Sequence, residues 1–225
     1  SPAIGKQMMG VEVVRSVDAL GQGPETVIID FTRPHATRQH IEIARATKTP
    51  MVIGTTGLTE EDERLITQAA KDIAIVYCAN TSVGVTLLSQ LVRQVARLLS
   101  DEWDIEIVET HHHHKVDAPS GTALALGKAA AEGRNVALDD KRDSGRDGET
   151  GARKKGDIGF AVLRGGDVAG EHTVTFFGQQ ERIELTHKAT SRSIFAHGAL
   201  QAAAFAAQAE PGLYSMDDVL GKLAG

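Results

Sequence analysis

The sequence predicts an α/β first region built on a parallel sheet, followed by an α+β region with a mixed or mostly antiparallel open sheet. Three observations predict it. Three apolar runs of strand length, Val27-Ile28-Ile29-Asp30-Phe31, Pro50-Met51-Val52-Ile53-Gly54 and Ile73-Ala74-Ile75-Val76-Tyr77-Cys78, alternate with helical patterns. Continuous apolar strands alternating with helices are the mark of a parallel sheet covered on both faces. Beyond residue 100 the texture changes: residues 104–110 alternate polar and apolar, as a half-exposed strand does. Further strands at residues 158–164, 171–177 and 182–187 are joined by Gly turns, which suggests antiparallel pairing.

The elements follow in order. Residues 11–14 fit a short strand and 16–20 a short helix. Pro34 sits where a first helical turn tolerates proline, so residues 36–47 are predicted helical. Thr59 with Asp62 marks the start of a helix over 60–71. Ser82 precedes an amphipathic helix over 85–99, with Leu87, Leu88, Leu91, Val92, Val95, Leu98 and Leu99 at helical spacing. Residues 120–132 form an Ala-rich helix, and the charged, Gly-rich stretch 139–157 is predicted as a mobile loop. A final helix over 192–208 ends at Pro211-Gly212, and no internal repeat is present.

Composition bounds the function. A chain of 225 residues holds one large or two small domains. Lys plus Arg number 24 against 30 Asp plus Glu, a net charge of −6, which argues against nucleic-acid binding. The single cysteine, Cys78, excludes a disulfide scaffold and fits a reducing compartment, so a cytoplasmic location is expected. No apolar run approaches the ~18 residues of a membrane helix. Aromatic residues are only 4%, so the core must rest on Ile, Val, Leu and Ala. The start Ser1-Pro2-Ala3, without Met or signal-peptide pattern, suggests a trimmed chain.

Chemistry concentrates in two places. The carboxyl ends of parallel strands are where such sheets bind ligands. Here they read Asp30-Phe31-Thr32-Arg33, Gly54-Thr55-Thr56-Gly57 and Ala79-Asn80-Thr81-Ser82, all small, polar or Gly-rich. The richer segment is Glu109-Thr110-His111-His112-His113-His114-Lys115-Val116-Asp117-Ala118-Pro119-Ser120-Gly121-Thr122-Ala123. Adjacent histidines on an extended chain point to opposite faces, and the HExxH spacing is absent, so no metal is expected. Histidine titrates near neutrality, which suits acid–base work. Ser120 is a good N-cap for the Ala-rich helix, whose start at Gly121 and Thr122 attracts anions. Lys115 beside that start makes a carboxylate or phosphate trap, and Asp117 can brace the turn.

The run E-x-H-H-x-H-K-x-D-A-P-S-G-T-A resembles the signature of dihydrodipicolinate reductases, nicotinamide-dependent enzymes of the diaminopimelate–lysine pathway. Further motifs match in order: Ile29-Asp30-Phe31-Thr32-Arg33-Pro34, Val52-Ile53-Gly54-Thr55-Thr56-Gly57, Asn80-Thr81-Ser82-Val83-Gly84-Val85, Gly165-Gly166-Asp167-Val168-Ala169-Gly170-Glu171-His172 and Thr186-His187-Lys188-Ala189. The resemblance implies a Rossmann-like dinucleotide-binding domain over residues 1–80 with 209–225, and a substrate-binding and oligomerisation domain over 81–208. It implies His111 and Lys115 as the proton-delivery pair, and His112, Lys115, Ser120, Gly121 and Thr122 as the substrate-binding set. NADH or NADPH would lie along Phe31, Arg33, Gly54, Thr55, Thr56, Ala79, Asn80 and Ser82, with Arg192 a further candidate on the substrate side. It also implies a small dicarboxylate substrate, domain closure over it, and a homotetramer that covers the open sheet.

One departure bears on the cofactor. The family begins with a strand, G-x-G-G-x-M-G and a helix that bind the pyrophosphate. The 225 residues lack that fingerprint, so the first strand–turn–helix unit is expected to be missing and cofactor affinity to be weakened. Two rival functions are a metal hydrolase built on the histidine run and a non-catalytic assembly module.

Overall fold

The computed structural model describes residues 4–8 and 10–223. Residues 1–3, on which the expectation about the chain start rests, lie outside the described set. The chain divides into two units, residues 1–81 with 196–225 and residues 82–195.

Unit 1 opens with a two-stranded antiparallel ribbon, β1 (Gln7–Met8) and β2 (Val11–Glu12), and a 3₁₀ turn at Val17–Ala19. The three apolar runs form β3 (Ile28–Asp30), β4 (Met51–Ile53) and β5 (Ala74–Tyr77), paired in parallel. Helix α1 (Pro34–Thr47) starts on its proline, and α2 (Glu60–Ala69) starts on a capping box in which Thr59 and Asp62 serve each other's backbone. Ile41 and Ala44 of α1, Ile66 and Ala69 of α2, and Met51, Ile53 and Ile75 of the sheet make one core. Each large aliphatic side chain buried there is worth about 1.5–3 kcal/mol.

Asp62 does more than cap. It is buried and accepts a two-pronged bond from Arg38, locking α2 to α1. Arg38, with the Thr59 amide and hydroxyl, holds this carboxyl well below the usual range. Cys78, just after β5, donates its amide to Ile53 O at 3.1 Å. Burial pushes its thiol up to about 12.

The last residues hold elements that the sequence reading did not resolve. β11 (Gly212–Tyr214) pairs in parallel with β5, so the sheet order is β11-β5-β4-β3, and α7 (Met216–Leu223) follows. Three residues behind Pro211 are too few to show a strand pattern. Helix α6 (Ser193–Ala206) contributes residues from 196 onward to this unit.

Unit 2 is α+β. Its elements are α3 (Val83–Leu98), β6 (Asp104–His111), α4 (Gly121–Gly133), α5 (Leu138–Lys141), β7 (Arg142–Asp143), β8 (Ile158–Arg164), β9 (Gly170–Phe177) and β10 (Arg182–Ala189). The sheet order is β10-β9-β6-β8-β7. The pairs β10–β9 and β9–β6 are antiparallel, while β6–β8 and β8–β7 are parallel, so the sheet is mixed.

Period-two alternation on β6 buries Ile105, Ile107, Glu109 and His111 on one face. The core joins Ile105 and Ile107 to Val92 and Leu88 of α3, Leu126 of α4, and Val174 and Phe176 of β9. Helix α3 is apolar over a wider arc than its core covers: Val85, Leu88, Val92 and Ala96 are buried, while Leu87, Leu91 and Leu98 are exposed.

The stretch 139–157 differs from the loop expected there. It holds the end of α5 and all of β7. Charge ties it to the sheet: Arg153 bonds Asp104, Glu106 and the carbonyls of Ile105 and Asp157, and Arg146 bonds Glu106 and Asp143. A periodicity argument does not register ion pairs between distant positions.

Gly198 of α6 gives a test of the packing in unit 1. A Cβ there would lie 1.7 Å from the Thr81 carbonyl oxygen, a backbone atom with no room to give. Gly198→Ala should lower stability by about 1–3 kcal/mol despite alanine's helix propensity. Gly221→Ala in α7, where a Cβ meets nothing within 4 Å, should leave stability unchanged or raise it by up to ~1 kcal/mol. Denaturant midpoints of the two variants check this.

Candidate active site

The inward face of β6 carries two polar residues beyond its apolar start, Glu109 and His111. Glu109 is 1% exposed. Its carboxylate accepts from Arg164 of β8 at 2.7 and 2.9 Å and from the Ser120 amide at 2.9 Å, and lies 2.6 Å from His111 Nδ1. Burial pushes this carboxyl up, but Arg164, His111 and the Ser120 amide outweigh it and hold it below the ordinary range. Arg164 also donates to the carbonyl of Asp117, bracing the turn after the histidine run.

Behind His111 lies His172 of β9, ring centroids 5.1 Å apart and edge to face. His172 Nε2 is 3.0 Å from Ser120 Oγ, which accepts the Ala123 amide and so caps α4. Burial pushes the His172 imidazole down to about 4, aided by the nearby His111.

The histidine run leaves β6 against the turn between β8 and β9. His112 N donates to Val168 O at 2.8 Å, and Gly165 N donates to His111 O at 3.0 Å. His113 contacts Gly166 O through both its amide and its ring and stacks near His114, and both are exposed. His112 is half-buried, with Nδ1 lacking a partner among the protein atoms. Burial lowers its pKa, and the charges of His111, His114, Arg192 and Lys115 lower it further. Lys115 Nζ lies 2.8 Å from Asp117 Oδ1 and holds that carboxyl below its usual range.

Thus one strand–loop–helix stretch of unit 2 brings together His111, His112, Lys115, Ser120, Gly121 and Thr122. Ser120 is buried with its hydroxyl engaged, while Gly121 is exposed and Thr122 half-buried at the start of α4. Among the described residues no group of three or more His, Cys, Asp or Glu side chains is placed to hold a metal ion. None of the helices in the described residues is long and apolar enough to cross a membrane.

In unit 1 the turns at the strand ends interlock. Thr32 N donates to Thr55 Oγ1 at 2.9 Å, and Gly54 N donates to Asp30 O at 2.9 Å. The Phe31 ring, half exposed, lies over Gly54 so closely that a Cβ there would sit 2.3 Å from it. Arg33 is exposed as the N-cap of α1, Thr56 is exposed, and Thr55 is buried. Ala79 is exposed and Asn80 half-buried in the turn after β5. Ser82, in unit 2, is buried and accepts the Val85 amide as the cap of α3.

Sequence reasoning quoted Glu109, Arg164 and His172 only as members of strands or motifs and gave them no role. The signal for Glu109 was present: strand alternation puts it on the face of Ile105, Ile107 and His111, where an unpaired carboxylate is not tolerated.

A parallel sheet with ligand-sized polar turns, joined in sequence to a mixed-sheet unit with an acid–base cluster, is the class of a two-unit nucleotide-dependent reductase. Comparison with known proteins narrows it. Residues 1–81 match the family described as dihydrodipicolinate reductase, N-terminus, and residues 84–220 the one described as dihydrodipicolinate reductase, C-terminus. A 4-hydroxy-tetrahydrodipicolinate reductase of Rhodopseudomonas palustris is 60% identical over 194 residues, covering 86% of this chain and 72% of that protein. One from a Ruegeria species is 52% identical over 219 residues, covering 97% and 81%. The structure is similar to a dipicolinate-bound dihydrodipicolinate reductase from a Paenisporosarcina species, with a TM-score of 0.68 and 27% identity over 84% of this chain and 71% of that one. The chain belongs to the dihydrodipicolinate reductase family, oxidoreductases of lysine biosynthesis that use NADH or NADPH.

His172 makes the site's burial measurable. The folded protein holds it neutral down to about pH 4, whereas the unfolded chain protonates it near 6.5. The unfolded state therefore binds the extra proton between those values. The stability due to this group is complete above about pH 6.5 and is lost as pH falls towards 4, by roughly 3 kcal/mol or less. Unfolding free energies measured against pH should fall over that window in the parent, and His172→Asn should remove that part of the slope.

Proposed function

We propose that the β6–α4 stretch of unit 2 binds the cyclic dicarboxylate 4-hydroxy-tetrahydrodipicolinate and protonates it as it is reduced to tetrahydrodipicolinate. The observation that carries the assignment is a histidine hydrogen-bonded to a buried carboxylate, four residues before a lysine at the approach to a helix start.

The loop has the chemistry to hold an anion. Lys115 already holds a carboxylate, that of Asp117. A substrate carboxylate would take its place, joined by the start of α4 at Gly121 and Thr122, where the helix dipole favours negative charge. Ser120 keeps that start in place from behind, and His112 would line the pocket. Arg192, whose charge already acts on His112, fits a second carboxylate. The relative bound to dipicolinate, a planar ring with two carboxylates, supports this class of ligand.

His111 would deliver the proton. The carbon left electron-rich by reduction of the conjugated ring takes a proton, and a placed acid contributes about 10²–10⁴-fold to such a step. Lys115 would share this work by fixing the ring and stabilising the developing charge.

NADH or NADPH, when bound, supplies the hydride. The turns of unit 1 fit such a ligand: Gly54 leaves the space that the Phe31 ring fills, and the polar turns stand at the carboxyl ends of parallel strands. Phe31, Arg33, Gly54, Thr55, Thr56, Ala79 and Asn80 would hold it, with Ser82 fixing the start of α3. Unit 1 is then the nucleotide-binding domain and unit 2 the substrate-binding one.

A homotetramer belongs to the same proposal. The face of the mixed sheet opposite the core exposes Leu163 and Phe177, which another copy would cover. The single cysteine and the biosynthetic role favour the cytoplasm.

Kinetics and binding test the assignment together. Consumption of reduced nicotinamide on adding the substrate should fall about 10²–10⁴-fold in His111→Ala and Lys115→Ala. Titration of dipicolinate should show affinity lowered at least about tenfold in Lys115→Ala, as loss of a charged hydrogen bond requires. Near-full turnover in both variants would sink the assignment.

A further inference from the structure

We infer that Glu109, clamped by Arg164, is a positioning residue: it fixes His111 with a proton on Nδ1 facing inward, so that Nε2 is the nitrogen that gives and takes the catalytic proton. This deepens the proposed role of His111 and rests on it.

The hydrogen-bond count carries the inference. An ionised carboxylate offers about four acceptor positions and no donor. Glu109 Oε1 accepts from Arg164 and the Ser120 amide, and Oε2 accepts from Arg164 and His111. Every acceptor position is filled, and the two bonds from Arg164 are parallel prongs that hold the charged form. A carboxylate so held has no proton to give, so the 2.6 Å contact requires His111 Nδ1 to be the donor. The tautomer is set by the partner of the other nitrogen.

The imidazole is fixed on two further sides. Gly170, the first residue of β9, has φ +153 and would place a Cβ 3.0 Å from His111 Nε2, tight enough to push the ring by a few tenths of an ångström. Only glycine leaves that edge of the ring unobstructed. His172 packs edge-on against the ring and stays uncharged, so it adds no positive charge beside an imidazolium.

A purely structural ion pair accounts for less. β6 and β8 are already joined by a parallel ladder that runs from Ile105 to His111, and Arg164 is the partner of His111 in that register. A tie between these strands needs no buried carboxylate, and burying one costs several kcal/mol before it is paired. The ionisable groups around His111 are Glu109 on β6, Arg164 on β8, His172 on β9, and His112 and Lys115 on the loop. Of these only Glu109 is negative.

Two measurements test the inference. In the intact protein labelled with ¹⁵N-histidine, and with the His111 signals assigned by their loss in His111→Gln, neutral His111 should show a protonated Nδ1 and a bare Nε2. A neutral His111 protonated on Nε2 would overturn the inference. This arm needs no substrate and no Glu109 variant, so it decides the matter even if such a variant fails to fold. In the second arm, Glu109→Gln removes the charge and keeps the shape. kcat at neutral pH should fall about 10²-fold or more, as for other histidines deprived of a carboxylate partner, with KM nearly unchanged. A folded Glu109→Gln enzyme with the parent's kcat would overturn the inference. Full turnover in His111→Gln, with the Nδ1 proton still observed in the parent, would instead remove the proposed proton donor and leave the tautomer assignment standing.

Discussion

A carboxylate at the centre of a protein must be paired on every side, and the second unit of this chain is organised around meeting that demand for Glu109. Four donors reach it from three places: two prongs from β8, one amide from the foot of α4, and one imidazole from its own strand. Ser120 shows how tightly the parts are coupled. Its amide serves Glu109, while its hydroxyl caps α4 and meets His172. The start of the helix and the orientation of His111 therefore share one anchor. Arg164 extends it by holding the Asp117 carbonyl, so the loop that carries Lys115 is fixed at its far end by the same guanidinium that holds the carboxylate. Removing Arg164 would leave Glu109 buried with its charge only partly compensated, which costs more than the pair contributes.

The first unit solves a different problem. The strands β3, β4 and β5 of its parallel sheet are short, three or four residues each, and almost wholly apolar, so polar groups gather in the turns that follow them. Those turns are stitched by backbone and hydroxyl bonds, such as that from Thr32 to Thr55, and by the Phe31 ring over Gly54. Small residues are needed because the chain folds back on itself within a few atoms.

The fold was legible where periodicity is long and local. The three apolar strands, α1 to α4 and the strands β6, β8, β9 and β10 stood out in the pattern of apolar positions. β11, three residues behind a proline, did not, because its place is set by pairing with β5 rather than by its own pattern. The stretch 139–157 was legible as a loop from residue 144 on, but not the end of α5, nor β7, nor the ion pairs to Glu106 and Asp104, far away in sequence. In the cluster itself, His111, His112 and Lys115 were legible because histidines and a lysine in one short run are chemically conspicuous. Arg164 and His172 were not, since each lies more than 50 residues from Glu109 or Ser120 and meets them only through strand pairing. Glu109 stood between: its inward facing could be read from alternation, but its partners could not.

Cys78 closes the first sheet with a different consequence. Burial pushes its thiol up to about 12, so at neutral pH the reactive thiolate is scarce. With no second cysteine in the chain, folding has no oxidation step to order and no bridge to shuffle. Alkylating reagents and peroxides find a poor target there. A cysteine introduced at the surface would be the one fast-reacting thiol among these 225 residues, open to selective attachment of a probe.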